Sequence, residues 1–164
     1  MSKQKKLNGK KRKMINKGDL IPDFRLQNAE GKWIEVKKSN NRKRLIYFYP
    51  KNQTQECTKQ ACSINKWQDA FLEKGYDVIG ISSDSVKSHQ RFSEKYQLSF
   101  DLLSDTHGKV RKLFGASKMM GLLPLRVTYL VDEKGKVEFF HSALFNGEEH
   151  VVKAMDFINL NHTG

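Results

Sequence analysis

A short apolar run, residues 45–49, and the amphipathic helix pattern that begins shortly after it constrain this chain more than any other stretch. Leu45, Ile46, Tyr47, Phe48 and Tyr49 leave no polar face, which is the pattern of a strand covered on both sides. Pro50 closes the strand. Beyond it Cys57, Ala61, Ile64 and Phe71 fall near one helical face with Trp67 at its edge, so the spacing predicts a helix packed back on the strand. Cys57 then opens the helix on its core-facing side. A thiol there sits among free backbone N–H groups and at the positive end of the helix dipole, both of which favour a thiolate. Most buried cysteines are only small packing residues; the neighbours of Cys57 decide between the two readings.

The remaining chain repeats the alternation of strand and helix. Phe24 and Leu26, then Trp33, Ile34 and Val36, flank turn residues 28–31 and predict a leading hairpin. Gly75 stops the Cys57 helix, residues 76–82 form a buried strand, and Asp84 or Ser85 caps a helix reaching Tyr96. His89 lies within that helix and carries no assigned role. Residues 100–103 read as a strand, Asp105 as a cap, and Val110, Leu113 and Phe114 as a short helix ended by Gly115. Met119, Met120, Leu122 and Leu123 in the next loop suit either an apolar entrance or simple gap filling. Residues 127–131 and 137–140 form a second hairpin, and Asn146 with Glu149 caps a last helix carrying Val151, Ala154, Met155 and Ile158. This order implies an α/β fold, a central mixed β-sheet flanked by helices on both faces.

The chain has 164 residues and a formal net charge of +12, a length suited to one domain. Eight basic residues and no acid lie within residues 1–17, so a basic, mobile tail at 1–17 and a folded domain at 18–160 are expected. The cluster Lys10, Lys11, Arg12, Lys13 leaves nucleic acid open as a tail partner. No apolar segment follows the basic start as a secretory leader requires, and no stretch is long enough to span a bilayer. Only two cysteines are present, which excludes a disulfide-framework protein and gives a cytoplasmic setting, or a nuclear one in a eukaryote.

Pro50, Thr54 and Cys57 stand at the spacing proline, three residues, Thr or Ser, two residues, cysteine. Together with Cys62 five positions later, the opening segment 18–24 and the segment 126–132, this pattern resembles the peroxiredoxins of the AhpC/TSA family. It is most similar to their bacterioferritin-comigratory-protein, or peroxiredoxin Q, branch. The resemblance implies a thioredoxin-like fold with an N-terminal β-hairpin and a monomer. It also implies a thiol-dependent peroxidase with hydrogen peroxide or organic hydroperoxides as substrate and thioredoxin or a similar dithiol as reductant. No metal or cofactor is implied. Within it Cys57 is the peroxidatic cysteine and Cys62 the resolving one, the two joining as an intramolecular disulfide. Thr54 bonds peroxide and thiolate, Arg126 stabilises the moving charge, and Pro50 shields the pocket. One departure stands out. Gln55 and Glu56 replace the branch's Pro-Gly, a change expected to strain the loop and set a carboxylate against the thiolate.

Ionisation alone does not explain catalysis of this kind. A free cysteine is roughly 3% thiolate at neutral pH, so complete ionisation gains only about thirty-fold, against the roughly million-fold or more that enzymes supply. Groups acting on the transition state are required. A zinc or copper site built from Cys57, Cys62 and one of the five histidines lacks a second ligand cluster, and a thioredoxin-type exchanger would need Cys-x-x-Cys. The reading of a different class is a non-catalytic thioredoxin-like module whose basic tail binds nucleic acid.

Overall fold

The computed structural model describes residues 13–118 and 123–162. The chain runs β1 (Phe24–Asn28), β2 (Trp33–Val36), β3 (Lys43–Phe48), α1 (Gln55–Lys66), α2 (Gln68–Glu73), β4 (Tyr76–Ser82), α3 (Val86–Tyr96), β5 (Asp101–Ser104), α4 (Lys109–Phe114), β6 (Ser117–Lys118), β7 (Leu123–Pro124), β8 (Val127–Val131), β9 (Val137–Ser142) and α5 (Gly147–His162). Seven strands form one sheet in the order β2-β1-β5-β4-β3-β8-β9, and β6 pairs with β7 apart from it. The pairs β3/β4 and β4/β5 are parallel; β1/β2, β1/β5, β3/β8 and β8/β9 are antiparallel. The sheet is therefore mixed, as expected, and opens with the expected hairpin.

Alternation along β3 builds two cores. Ile46 and Phe48 join Ile79, Ile81, Val127, Tyr129, Val110 and Phe114 on one face. Leu45 and Tyr47 join Cys57, Ala61, Ile64, Phe71, Phe92, Val151, Ala154 and Ile158 on the other. Each large apolar side chain buried in this way contributes about 1.5–3 kcal/mol. Gly80 on β4 is required beside Tyr47: a Cβ there would lie 2.8 Å from the tyrosine ring and 2.9 Å from Leu102.

Two local expectations differ from what forms, and a third is not reached. The single helix expected through Gly75 is two helices, because Trp67 leaves helical geometry (φ −100°, ψ 6°), while Phe71 is buried in the core as expected. Residues 119–122 lie outside the described residues, and with them the Met119, Met120 and Leu122 entrance. Part of the segment read as a tail is docked. Met14 and Ile15 pack against the first core, Ile15 N–H donates to Phe114 O at 2.9 Å and Gly18 N–H to Val137 O at 2.8 Å. Residues 1–12, and with them Lys10, Lys11 and Arg12 of the cluster left open as a nucleic-acid contact, lie outside the described residues. Among the described residues no helix is long and apolar enough to cross a membrane, and no three His, Cys, Asp or Glu side chains gather as a metal site.

Candidate active site

The strand β3 delivers the chain to the site, and the loop after it turns into α1. Thr54 is the N-cap residue in extended geometry (φ −83°, ψ 152°), so Cys57 lies in the first helical turn on the buried face. Its sulfur accepts a hydrogen bond from Arg126 Nη2 at 3.3 Å. Arg126, just before β8, is itself buried. Its Nη1 donates to Gln60 Oε1 at 2.5 Å and its Nε to Leu144 O at 3.0 Å. Among the described residues Arg126 has no carboxylate partner. A guanidinium withdrawn from water and solvated only by neutral oxygens is costly, and an anion at the sulfur offsets that cost.

Two tyrosines wall the site. Tyr47 and Tyr49 stack with ring centroids 5.3 Å apart, and burial raises both phenols far out of the physiological range, with charge at Cys57 opposing their ionisation further. They are neutral, apolar surfaces for the thiol. His150 on α5 lies behind Arg126, with Nδ1 2.8 Å from Thr128 Oγ1 and Nε2 2.7 Å from Ala143 O. Burial first, then the Arg126 cation and any positive charge on His141, push its pKa down to about 4.

The loop between β3 and α1 is fixed by a buried polar cluster. Asn52 N–H donates to Asp84 Oδ2 at 2.9 Å, and its amide reaches Ser88 Oγ at 3.1 Å and His89 Nδ1 at 2.9 Å. Tyr49 donates to Asn52 Oδ1 at 2.6 Å, and His89 Nε2 faces Leu103 O at 3.1 Å. His89 is thus a neutral ring with both nitrogens engaged, its pKa lowered chiefly by burial.

The sequence-predicted residues divide in their placement. Cys57 and Arg126 are brought together. Pro50 is half-buried at the loop entrance. Thr54 is exposed, and its hydroxyl donates to Lys51 O at 2.9 Å; it makes neither a side-chain cap nor a hydrogen bond to Cys57. Cys62 is exposed, unbridged and on the same helix as Cys57, and its thiol pKa is raised by desolvation.

The Gln55-Glu56 departure resolves differently from expectation. Both residues are helical, and the positive φ of this loop falls on Gln53 (65°) instead. The Glu56 carboxylate turns to α5, where Oε2 accepts Gly147 N–H at 3.0 Å, and that bond leads in holding its pKa below the usual carboxylate value. Gly147 permits this approach, since a Cβ there would lie 2.6 Å from Glu56 O and 2.7 Å from Gln60 Cβ.

Sequence reasoning missed Gln60, Arg111, Asn52 and the His89 and His150 contacts. Gln60 alone had a usable signal, a polar residue three after Cys57 on an otherwise apolar helical face.

The model of the AhpC/TSA family matches residues 17–140. The chain belongs to the AhpC/TSA family. A relative from Triticum aestivum, "Peroxiredoxin Q, chloroplastic", is 39% identical over 145 residues, covering 88% of this chain and 67% of the wheat protein. The crystal structure of peroxidoxin BcpB from Mycobacterium tuberculosis superposes with a TM-score of 0.84 at 29% identity, covering 91% of this chain and 99% of that one. The bacterioferritin comigratory protein of Xanthomonas campestris superposes with a TM-score of 0.76 at 26% identity over 84% of this chain and 91% of that one. The fold is the thioredoxin-like fold of the peroxiredoxins, and the enzyme class is thiol-dependent peroxidase; the non-catalytic reading falls.

The cytoplasmic or nuclear setting is corrected by the wheat relative and its counterparts from Populus jackii and Arabidopsis thaliana, which are named as chloroplastic proteins. An apolar leader marks the secretory route, whereas plastid transit peptides are basic and poor in acids, so a missing apolar leader does not select the cytoplasm.

Proposed function

We propose that Cys57 is the peroxidatic nucleophile of this peroxidase and that Arg126 is the group that serves its transition state. The observation that carries the assignment is the Arg126 guanidinium 3.3 Å from a sulfur buried in the first turn of α1. The Cys57 thiolate attacks the distal oxygen of a hydroperoxide, the O–O bond breaks, and Cys57 sulfenic acid and water or an alcohol result. Arg126 holds the negative charge as it moves from sulfur to oxygen, Pro50 shields the pocket, and the Thr54 hydroxyl turns from Lys51 O to the peroxide. The Xanthomonas campestris protein is described as having alkyl peroxide reduction activity, and organic hydroperoxides are proposed here alongside hydrogen peroxide.

Cys62 completes the cycle in this reading. Five residues of regular helix separate the cysteines by about 7.5 Å of rise and roughly 140° of rotation, whereas a disulfide needs Cβ atoms about 3.5–4.5 Å apart. Oxidation of Cys57 therefore opens the first turns of α1, the Cys62 thiol attacks the sulfenic sulfur with release of water, and an external dithiol of the thioredoxin kind reduces the disulfide. The domain acting in this way is a monomer of residues 18–160, with Met14 and Ile15 docked on its core.

Intact mass after one equivalent of peroxide tests the scheme. Wild type is expected to lose two hydrogens, Cys62→Ser to gain one oxygen, and Cys57→Ser to stay unchanged and to show no peroxide turnover with thioredoxin. Turnover by Cys57→Ser refutes the nucleophile. Normal thioredoxin-linked turnover by Cys62→Ser refutes the resolving role alone.

A further inference from the structure

Arg111 occupies a position that the chemistry above does not use. It lies in α4 between the exposed residues Lys112 and Lys109, separated from the latter by Val110, and in sequence reads as one more solvated cation. In the fold it is only 4% exposed. Its guanidinium spans three backbone carbonyls: Nη2 donates to Tyr49 O at 2.6 Å, and Nη1 to Leu125 O at 2.8 Å and to Ala116 O at 3.1 Å. The group also lies over the Phe48 ring, 5.4 Å from its centroid.

The acceptors identify what this cation does. Tyr49 immediately precedes Pro50, and Leu125 immediately precedes Arg126. One planar fork therefore joins the backbone at which the active-site loop leaves β3 to the backbone at which Arg126 enters β8. The third carbonyl, Ala116 O, belongs to the residue before β6, whose N–H donates back to Arg111 O at 3.0 Å. The Asp105 carboxylate fixes the helix that carries the fork, accepting Val110 N–H at 3.2 Å and Arg111 N–H at 2.9 Å. Among the described residues Arg111 forms no ion pair.

We propose that Arg111 is a positioning residue for peroxide reduction, setting the distance between the loop at Pro50 and the guanidinium of Arg126 across the sulfur of Cys57. The proposal rests on the reading of Cys57 as the nucleophile. Its physical basis is the steepness of reactivity with geometry: a displacement of about 1 Å in a reacting constellation costs up to about a hundred-fold in rate. A planar fork is suited to this in a way that an ammonium is not, since its donors hold several acceptors at fixed mutual angles.

The test compares two reactions of the Cys57 thiol, both measured in a Cys62→Ser background because Cys62 is exposed and is itself open to alkylation. Oxidation by hydrogen peroxide needs Arg126 and the loop in register, whereas alkylation by iodoacetamide needs only an accessible thiolate. In Arg111→Met the second-order rate with peroxide is expected to fall about ten- to a hundred-fold, with alkylation within about three-fold of wild type. Arg111→Lys, which keeps the charge and loses the fork, is expected to fall nearly as far with peroxide. In an Arg126→Met background the Arg111→Met change is expected to cost less than about three-fold, because the two act through one geometry.

A wild-type peroxide rate in either folded variant overturns the proposal, as does equal loss in both reactions or full additivity with Arg126→Met. Should Arg111→Met fail to fold, Arg111→Lys carries the same criteria alone. Failure of the underlying reading is seen separately, as peroxide turnover by Cys57→Ser.

Discussion

The β3/β8 pair has a buried arginine at each end, and the two differ in what they face. Arg44 begins the ladder opposite Val131; Arg126 stands just outside it at the other end, where Phe48 meets Val127. Both are nearly inaccessible, and neither has an ion-pair partner among the described residues. Arg44 donates to Lys37 O, to Lys38 O at 2.6 Å and to Asp132 O at 3.3 Å. It ties the β2–β3 connection to the turn after β8. Arg126 spends one donor on a side-chain amide, one on a carbonyl and one on a thiol sulfur. Burial of a guanidinium is therefore not the mark of a site. The mark is an acceptor set that includes a group able to become an anion and a nucleophile.

The largest effect is expected at the sulfur end. Arg126→Met is expected to slow peroxide oxidation of Cys57 by about a hundred- to a thousand-fold, the usual cost of losing a donor aimed at developing charge. Stopped-flow rates check this, and an unchanged rate would make Arg126 a second Arg44. Arg44→Met is expected to leave the peroxide rate alone and to lower stability by about 2 kcal/mol, because three carbonyls lose a charged donor. Urea unfolding measures that loss; a large fall in peroxide rate with stability intact would erase the distinction between the two ends.

A smaller effect sharpens the difference through pH. His150 at the sulfur end has a folded pKa of about 4, below the unfolded value of 6.5. The unfolded chain thus binds the proton first, so stability is full at neutral pH and is lost as pH falls from about 6.5 toward 4. By pH 5.5 the loss attributable to His150 is about 1 kcal/mol. Urea midpoints between neutral pH and about 5.5 are expected to fall less steeply for His150→Gln than for wild type. Parallel slopes would place the acid response elsewhere in the fold.

Much of the architecture was readable from the linear chain because periodicity is local. The Asn146 cap needed only short-range chemistry and forms as read, with Asn146 Oδ1 accepting Glu149 N–H at 3.2 Å. The same holds for Asp105, whose carboxylate takes two helix N–H groups although Gly108 occupies the formal cap position. Thr54 shows the limit of such reading. Its residue type suits a cap, yet its hydroxyl turns back to Lys51 O, a choice made by a loop that Asn52 pins to Asp84 and to α3.

The sequence by itself determined the seven strands of the main sheet, most of the helices, the alternation that buries one face of α1, and the spacing of Pro50, Thr54 and Cys57, since each depends on residues within a few positions of one another; the β6/β7 pair formed where a loop was expected. Tertiary structure alone decided which polar groups share a buried space. Arg126 meets Cys57 across 69 residues, Arg111 meets Tyr49 across 62, and Glu56 meets Gly147 across 91. Such partners leave no trace in local periodicity, because a buried cation and a solvated one are the same letter in the chain. Which of them faces the thiol is settled only when β3, β8, α1 and α4 close on one core and the cost of burying charge selects the acceptors.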